Sequence, residues 1–142
     1  MTIAAILQTK SDAIWSLAPD DTLAQAVTLL AERRIGAAPV VEDGRVVGIF
    51  SERDVIRCLA ADGAAALDTR VRDAMTAPVR SVGRDEAVIG ALSLMTQQRI
   101  RHLPVLDDDA LVGFVSIGDL VKYRIDRIES DAAAMREYIQ SA

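Results

Sequence analysis

Val47-Gly48-Ile49-Phe50-Ser51-Glu52-Arg53-Asp54 and Val112-Gly113-Phe114-Val115-Ser116-Ile117-Gly118-Asp119 carry one pattern twice, 65 positions apart. In both, an apolar run ends on a serine, and an aspartate follows three residues later. The run suits a short buried strand. Ser-x-x-Asp marks a helix start, because the hydroxyl can cap free backbone N–H groups while the acid reaches back to the cap. A strand leading into a helix at Ser51, and again at Ser116, decides the architecture.

The match extends outward without a gap. Arg34-Ile35-Gly36-Ala37-Ala38-Pro39-Val40 falls on Arg99-Ile100-Arg101-His102-Leu103-Pro104-Val105, and eleven of the 38 positions from Thr22 to Leu59 are identical to their counterparts. The chain therefore contains a duplicated unit, and each copy reads β-α-β-β-α. Opening strands are expected at residues 13–17 and 79–82. Asp20-Asp21 and Asp85-Glu86 then supply acid where a helix N-terminus favours it. Leu23, Ala26, Val27 and Leu30, and likewise Val88, Ala91, Leu92 and Met95, have the i, i+3, i+4, i+7 spacing of one buried helix face. Gly36 is expected to end the first of these helices in a left-handed conformation. Strands at 38–41 and 46–50 follow, joined through Asp43-Gly44, a hairpin turn signal. Their counterparts at 103–106 and 111–115 are joined by a turn without glycine. A second helix closes each unit.

This organisation implies an α/β (α+β) fold with a first repeat at 1–62, a linker at 63–70, a second repeat at 71–125 and a helical extension at 126–142. A unit of about 60 residues is marginal alone. Two units related by a pseudo-twofold axis can bury each other's open sheet faces. The composition agrees: 51% hydrophobic and 26% charged residues in 142 exclude a disordered chain, and 4% aromatics make the core aliphatic. A net charge of −5 with no basic run argues against nucleic acid as a partner. No stretch approaches the ~20 apolar residues of a membrane span. Met1 to Leu7 lacks the basic lead of a signal peptide, and one cysteine excludes an internal disulfide. A cytoplasmic protein with no membrane contact is expected.

Ala38-Pro39-Val40-Val41, Gly48 to Asp54, Val71-Arg72-Asp73-Ala74-Met75-Thr76, Leu103-Pro104-Val105 and Gly113 to Asp119, in this order and duplicated, resemble a tandem pair of CBS domains, the module named after cystathionine β-synthase. The chain is similar to small stand-alone bacterial CBS-pair proteins, with Ser51-Glu52-Arg53-Asp54 the nearest match. The resemblance implies sensing of an adenine nucleotide (AMP, ADP or ATP) in the cleft between the repeats. It implies a regulated partner protein, no obligatory cofactor and no catalysis.

The residues leave two uses open for each Ser-x-x-Asp. One is a capping box. The other places phosphate at the helix N-terminus, where N–H groups and the dipole favour it, with the serine on phosphate and the aspartate on the ribose hydroxyls, as the resemblance implies. Arg101-His102 can be a solvated pair at a helix end or, as in related modules, reach phosphate. Lys10 can be exposed or hold phosphate. Trp15 can close the core or pack on adenine. The resemblance implies that each cleft borrows from both copies. One cleft would gather Lys10, Trp15, Gly36, Ala37, Arg101, His102, Ser116 and Asp119. The other would gather Ser51, Asp54, Met75 and Arg80, with Arg101 a candidate for this cleft as well. By the 65-residue shift Met75 is the counterpart of Lys10, and Gly36-Ala37 of Arg101-His102. The Asp119 cleft is therefore expected to be the main site and the Asp54 cleft the weaker one.

Catalytic signatures are missing. Gly113 stands three residues before Ser116, where a nucleophile elbow requires two, and there is no Walker loop. With one histidine and one cysteine, a zinc site lacks ligands. Cys58 falls among the apolar residues of the second helix, where a buried role is expected. Past the second repeat, Val121, Ile125, Ile128, Ala132, Met135 and Ile139 step by four and three, a heptad seam. The seam either folds back on its own domain or meets a second subunit. The resemblance implies a homodimer, since CBS pairs associate into disc-like dimers. A ligand-independent dimeric scaffold is the competing reading.

Overall fold

The structure, a computed structural model, describes residues 1–10 and 13–141. The elements run α1 (Ile3–Thr9), α2 (Leu23–Arg33), β1 (Ala37–Glu42), β2 (Arg45–Ser51), α3 (Glu52–Asp62), a 3-10 turn (Gly63–Asp68), α4 (Val71–Ala74), α5 (Val88–Gln98), β3 (His102–Asp107), β4 (Ala110–Ser116) and α6 (Ile117–Ser141). Two antiparallel hairpins, β1-β2 and β3-β4, share one register, with Pro39 opposite Ile49 and Pro104 opposite Phe114. Each hairpin turns through two residues at positive φ: Asp43 and Gly44 in the first, Asp108 and Asp109 in the second. Aspartate tolerates that conformation better than most residues, so the second turn forms without glycine.

The expected opening strands are reduced to one bridge each, Leu17 to Val40 and Val82 to Val105. The cause is proline. Leu17 N–H donates to Pro39 O (2.9 Å) and Val41 N–H donates to Leu17 O (2.9 Å). The next parallel rung toward Trp15 would need an N–H from Pro39, which has none. Pro104 ends the rung at Val82 in the same way.

Gly36 does not end α2. Arg34 takes the left-handed conformation (φ 53°), and Ile35 N–H reaches back to Leu30 O at 3.1 Å, the pattern of a Schellman cap. Arg99 (φ 55°) and Ile100 repeat it after α5. The N-cap of α2 is Thr22 in a capping box with Gln25, while Asp21 instead caps Ala18 N–H and Asp20 pairs with Arg72.

The repeats exchange their leading helices. Ile3 and Ile6 of α1 sit in the core of the second repeat with Val82, Val88, Met95, Leu103, Val105, Val115 and Leu120. Val71 and Ala74 of α4 sit in the core of the first, with Leu23, Leu30, Val40, Phe50 and Cys58. Backbone hydrogen bonds anchor both exchanges: Ile3 N–H to Glu86 O and Val88 N–H to Met1 O on one side, Leu23 N–H to Thr69 O and Val71 N–H to Asp21 O on the other. The apolar N-terminus is thus a core element, which the sequence reading did not assign. Neither repeat has a complete core without the leader of the other.

Where each leader meets the opposite hairpin, a glycine makes room. A Cβ on Gly48 would lie 2.3 Å from Met75 Sδ, and one on Gly113 would lie 2.5 Å from Leu7 Cδ2. Leu7, not Lys10, is therefore the structural counterpart of Met75. The leaders follow an offset of 68, against 65 elsewhere, because α1 has seven residues and α4 four. Lys10 belongs to three extra residues that only the first copy has. Among the described residues, no helix is long and apolar enough to cross a membrane.

Candidate functional site

Between the repeats lies a cavity of about 380 Å³, within the range of small-ligand sites. The first repeat contributes Gly36, Ile49 and the β2–α3 junction Ser51 to Asp54. Thr76, Pro78, Val79 and Arg80 come from the segment after α4, and Arg99 to His102 from the α5–β3 junction. The leader exchange brings these stretches together: Ile49 and Thr76 pair through both backbone bonds (3.0 and 2.8 Å). Four arginines (Arg53, Arg80, Arg99, Arg101) and His102 line the cavity, against two acids, Glu52 and Asp54. In a chain of net charge −5, this concentrates positive potential in one concave place.

Asp54 is 4% exposed. Its Oδ2 accepts from Ser51 N–H (2.9 Å) and from the Ser51 hydroxyl (3.3 Å); its Oδ1 accepts from Arg57 Nη2 (2.9 Å) and the Thr76 hydroxyl (3.1 Å). Arg57 also donates to Ala74 O at 2.7 Å. The carboxylate thus caps α3 and ties the leader of the second repeat to the first. The hydroxyls of Ser51 and Thr76 are the partners most easily exchanged, since each can rotate toward another acceptor.

The Asp119 side is built differently. Ser116 N–H donates to Asp119 Oδ2 (2.8 Å), and Asp119 N–H donates to the Ser116 hydroxyl (3.1 Å), a complete capping box. Lys10 Nζ lies 2.6 Å from both Asp119 Oδ2 and Phe114 O, and donates to each. One ammonium thereby takes over two roles that Thr76 fills at Asp54, the bond to the strand carbonyl and the bond to the carboxylate. Burial would raise the Asp119 pKa, but Lys10 and the Ser116 N–H and hydroxyl outweigh it and hold the group below its usual 3.8. Asp119 and Lys10 border a groove between α1 and α6 that also includes Lys122, Tyr123, Asp126 and Arg127.

The residues expected at the Asp119 cleft are therefore divided. Lys10, Ser116 and Asp119 are joined by hydrogen bonds. Gly36, Arg101 and His102 line the cavity of Asp54, together with Ser51 and Arg80. His102 also stacks on Phe114 (ring centroids 5.7 Å apart), so its imidazole stands between the two sides. Burial holds the His102 pKa below its usual value, leaving the positive charge at neutral pH to the arginines. Ala37 is buried and paired with Ser51 across the hairpin. Trp15 is 39% exposed and lies under the Arg33 guanidinium, 3.7 Å from the ring centroid, so it does not close the core. Met75 packs on Gly48 instead of facing the cleft. Arg53, Arg99, Thr76 and Val79 were not anticipated. Three of them lie within or beside quoted motifs, and the density of arginine at 99–101 was the available signal.

The Lys10–Asp119 pair has a consequence in acid. A carboxylate whose folded pKa lies below its unfolded one stabilises the fold above the unfolded value and loses that contribution as pH falls through the folded value. Both side chains are about one-third exposed, which keeps the effect to about 1 kcal/mol or less. Lys10→Met is expected to melt a few degrees below the wild type at pH 6, with the gap narrowing as pH falls below 3.8 and Asp119 takes up its proton. A constant gap across that range would mean the pair contributes nothing electrostatic.

The CBS domain family matches residues 9–61 and 71–126. The CBS-domain containing protein ATU1752 from Agrobacterium tumefaciens has the same fold, with a TM-score of 0.83 and 36% identity over 87% of this chain and 92% of that one. The mitochondrial CBS domain-containing protein CBSX3 of Arabidopsis thaliana is 34% identical over 98% of this chain and 72% of its own length. The CBS domain pair of protein MJ0100, in complex with 5′-methylthioadenosine and S-adenosyl-L-methionine, shares the fold at a TM-score of 0.79 and 23% identity, covering 89% of this chain and 98% of that one. With its duplicated hairpins, exchanged leaders and inter-repeat cavity, the chain belongs to the CBS-domain family and carries two CBS domains in tandem.

Proposed function

We propose that this CBS pair is a regulatory module that binds an adenine nucleotide (AMP, ADP or ATP) in the cavity at Asp54 and passes its state to a partner protein. The observation that carries the reading is the ring of four arginines and His102 around a cavity at a helix N-terminus, in an otherwise acidic chain. The adenosine compounds held by the MJ0100 pair support the ligand class. In this reading Asp54 accepts from the ribose hydroxyls as Ser51 and Thr76 release it. The freed Ser51 hydroxyl turns to phosphate beside Arg99 and Arg101, and Ile49 and Val79 supply an apolar wall for the base. The Asp119 side, already neutralised by Lys10, is the lesser site. This order reverses the one expected from the sequence, because Gly36, Arg101 and His102 line the cavity of Asp54. We also read the chain as a homodimer.

The scaffold reading draws on one observation, the four internal hydrogen bonds that already occupy Asp54. Mass spectrometry of the small molecules released on denaturing the purified protein, followed by calorimetry of the stripped protein with AMP, separates the two. One equivalent of AMP per chain, recovered intact after hours, is expected. No heat with AMP, ADP or ATP would leave the scaffold, and multiple-turnover hydrolysis would overturn the regulatory reading.

A further inference from the structure

The heptad seam does not fold back on its own domain. From Ile125 onward every described residue of α6 is exposed, with Ile125 at 49%, Ile128 at 53%, Met135 at 60% and Ile139 at 64%. A single helix of this length with an apolar stripe facing water is not stable by itself. Something covers it, and the flanking charges say what and in which direction.

We propose that α6 pairs with α6 of a second copy as a parallel two-stranded coiled coil; this rests on the homodimer reading above and assigns its interface and orientation. The steps of the seam put Ile125, Ala132 and Ile139 at a positions and Val121, Ile128 and Met135 at d. The rim then has Arg124 and Asp131 at g, and Lys122, Glu129 and Arg136 at e. In a parallel pair each g position faces the e position five residues on. Arg124 meets Glu129 of the partner subunit, and Asp131 meets Arg136 of the partner subunit, both opposite in charge. In an antiparallel pair that keeps the whole seam, e meets e and g meets g. Glu129 would then face Glu129 of the partner subunit, Asp131 would face Asp131 of the partner subunit, and Lys122 would face Arg136 of the partner subunit. Every one of those is a like-charge contact. Asp131 is free to re-pair, since its contact with Arg127 in the same helix is 3.9 Å long.

Cysteine cross-linking of the full chain reads the orientation. Ile139→Cys places its thiol beside its own copy across a parallel seam, near the ~6 Å Cα separation a disulfide prefers. In an antiparallel seam the two Ile139 positions stand about 27 Å or more apart, and Ile139 faces Val121. Mild oxidation of Ile139→Cys is expected to give a covalent dimer, with the wild type as control for buried Cys58. Cross-linking only in a mixture of Val121→Cys and Ile139→Cys chains would overturn the orientation while leaving the homodimer. A monomer in sedimentation with no cross-link in either case would overturn both. Glu129→Arg is expected to weaken dimerisation about tenfold by setting Arg124 against arginine on both sides of the pair. Adding Arg124→Glu is expected to restore it, and failure of that rescue would remove the rim charges from the proposal.

Discussion

Asp54→Ala is expected to cost the fold about 3 kcal/mol and to lower its melting temperature by roughly 6–12 °C. The carboxylate is 4% exposed and accepts four hydrogen bonds. Removing it leaves Ser51 N–H and the Thr76 hydroxyl without their acceptor in a part-buried place, where water compensates poorly. It also takes away the α3 capping partner and frees the segment from Ala74 to Arg80 that forms one cavity wall. Arg57 loses little, since its side chain is 59% exposed. Asp54→Asn keeps one acceptor oxygen and is expected to cost only about 1 kcal/mol. Thermal melts of the three proteins decide it. An alanine variant within 1 °C of the wild type would mean that Asp54 is not what joins the repeats. The asparagine variant is the one to use in binding work, because loss of affinity in the alanine variant mixes ligand contact with a loosened cavity wall.

Most of the fold was legible because the duplication is legible. An ungapped shift of 65 residues pairs Ser51 with Ser116, Gly48 with Gly113 and Pro39 with Pro104, and each pair plays the same part in the structure. What the shift hides is local. The leaders do not resemble each other by identity; they match only in the apolar spacing of Ile3, Ile6 and Leu7 against Val71, Ala74 and Met75. Carrying the offset through them assigned Lys10 to the place of Met75. The prolines were visible, but their effect on the opening strands depends on which residue donates in a parallel rung. The end of α2 was misplaced because a Schellman cap with Ile35 against Leu30 does not require glycine.

The candidate site was legible as a set of residues and less so as a grouping. Ser51, Asp54, Arg80, Arg101 and His102 all stand out in the sequence, but Arg101 fits either cleft there and His102 falls to the other one. Pseudo-symmetry makes both clefts border the α5–β3 junction, and sequence alone does not say to which side a long side chain turns. Three extra residues at the end of the first leader, Lys10 among them, then break the symmetry. They bring an ammonium to Asp119 and Phe114 O, the positions matching Asp54 and Ile49 O. One duplicated unit thereby holds one carboxylate against an open, arginine-lined cavity and the other against its own lysine.

That asymmetry fixes the expected ranking in binding experiments. Arg101→Ala is expected to weaken AMP about 10- to 150-fold, the equivalent of losing one charge-assisted bond to phosphate, about 1.5–3 kcal/mol. Adenosine, which has no phosphate, is expected to change by less than about threefold. Asp119→Asn is expected to leave AMP affinity within about threefold of the wild type, because its carboxylate is engaged by Lys10 and does not line the cavity that Arg101 lines. Calorimetry of the stripped proteins with both ligands makes the comparison. Arg101 is exposed and its side chain makes no hydrogen bond among the described residues, so its removal is expected to leave the melting temperature unchanged, which ties any lost affinity to the ligand. Equal losses of AMP and adenosine in Arg101→Ala would move the arginine from phosphate to the base. A large loss in Asp119→Asn, with Arg101→Ala near wild type, would return the principal site to the Asp119 cleft and make Lys10 a ligand of the nucleotide instead of its substitute.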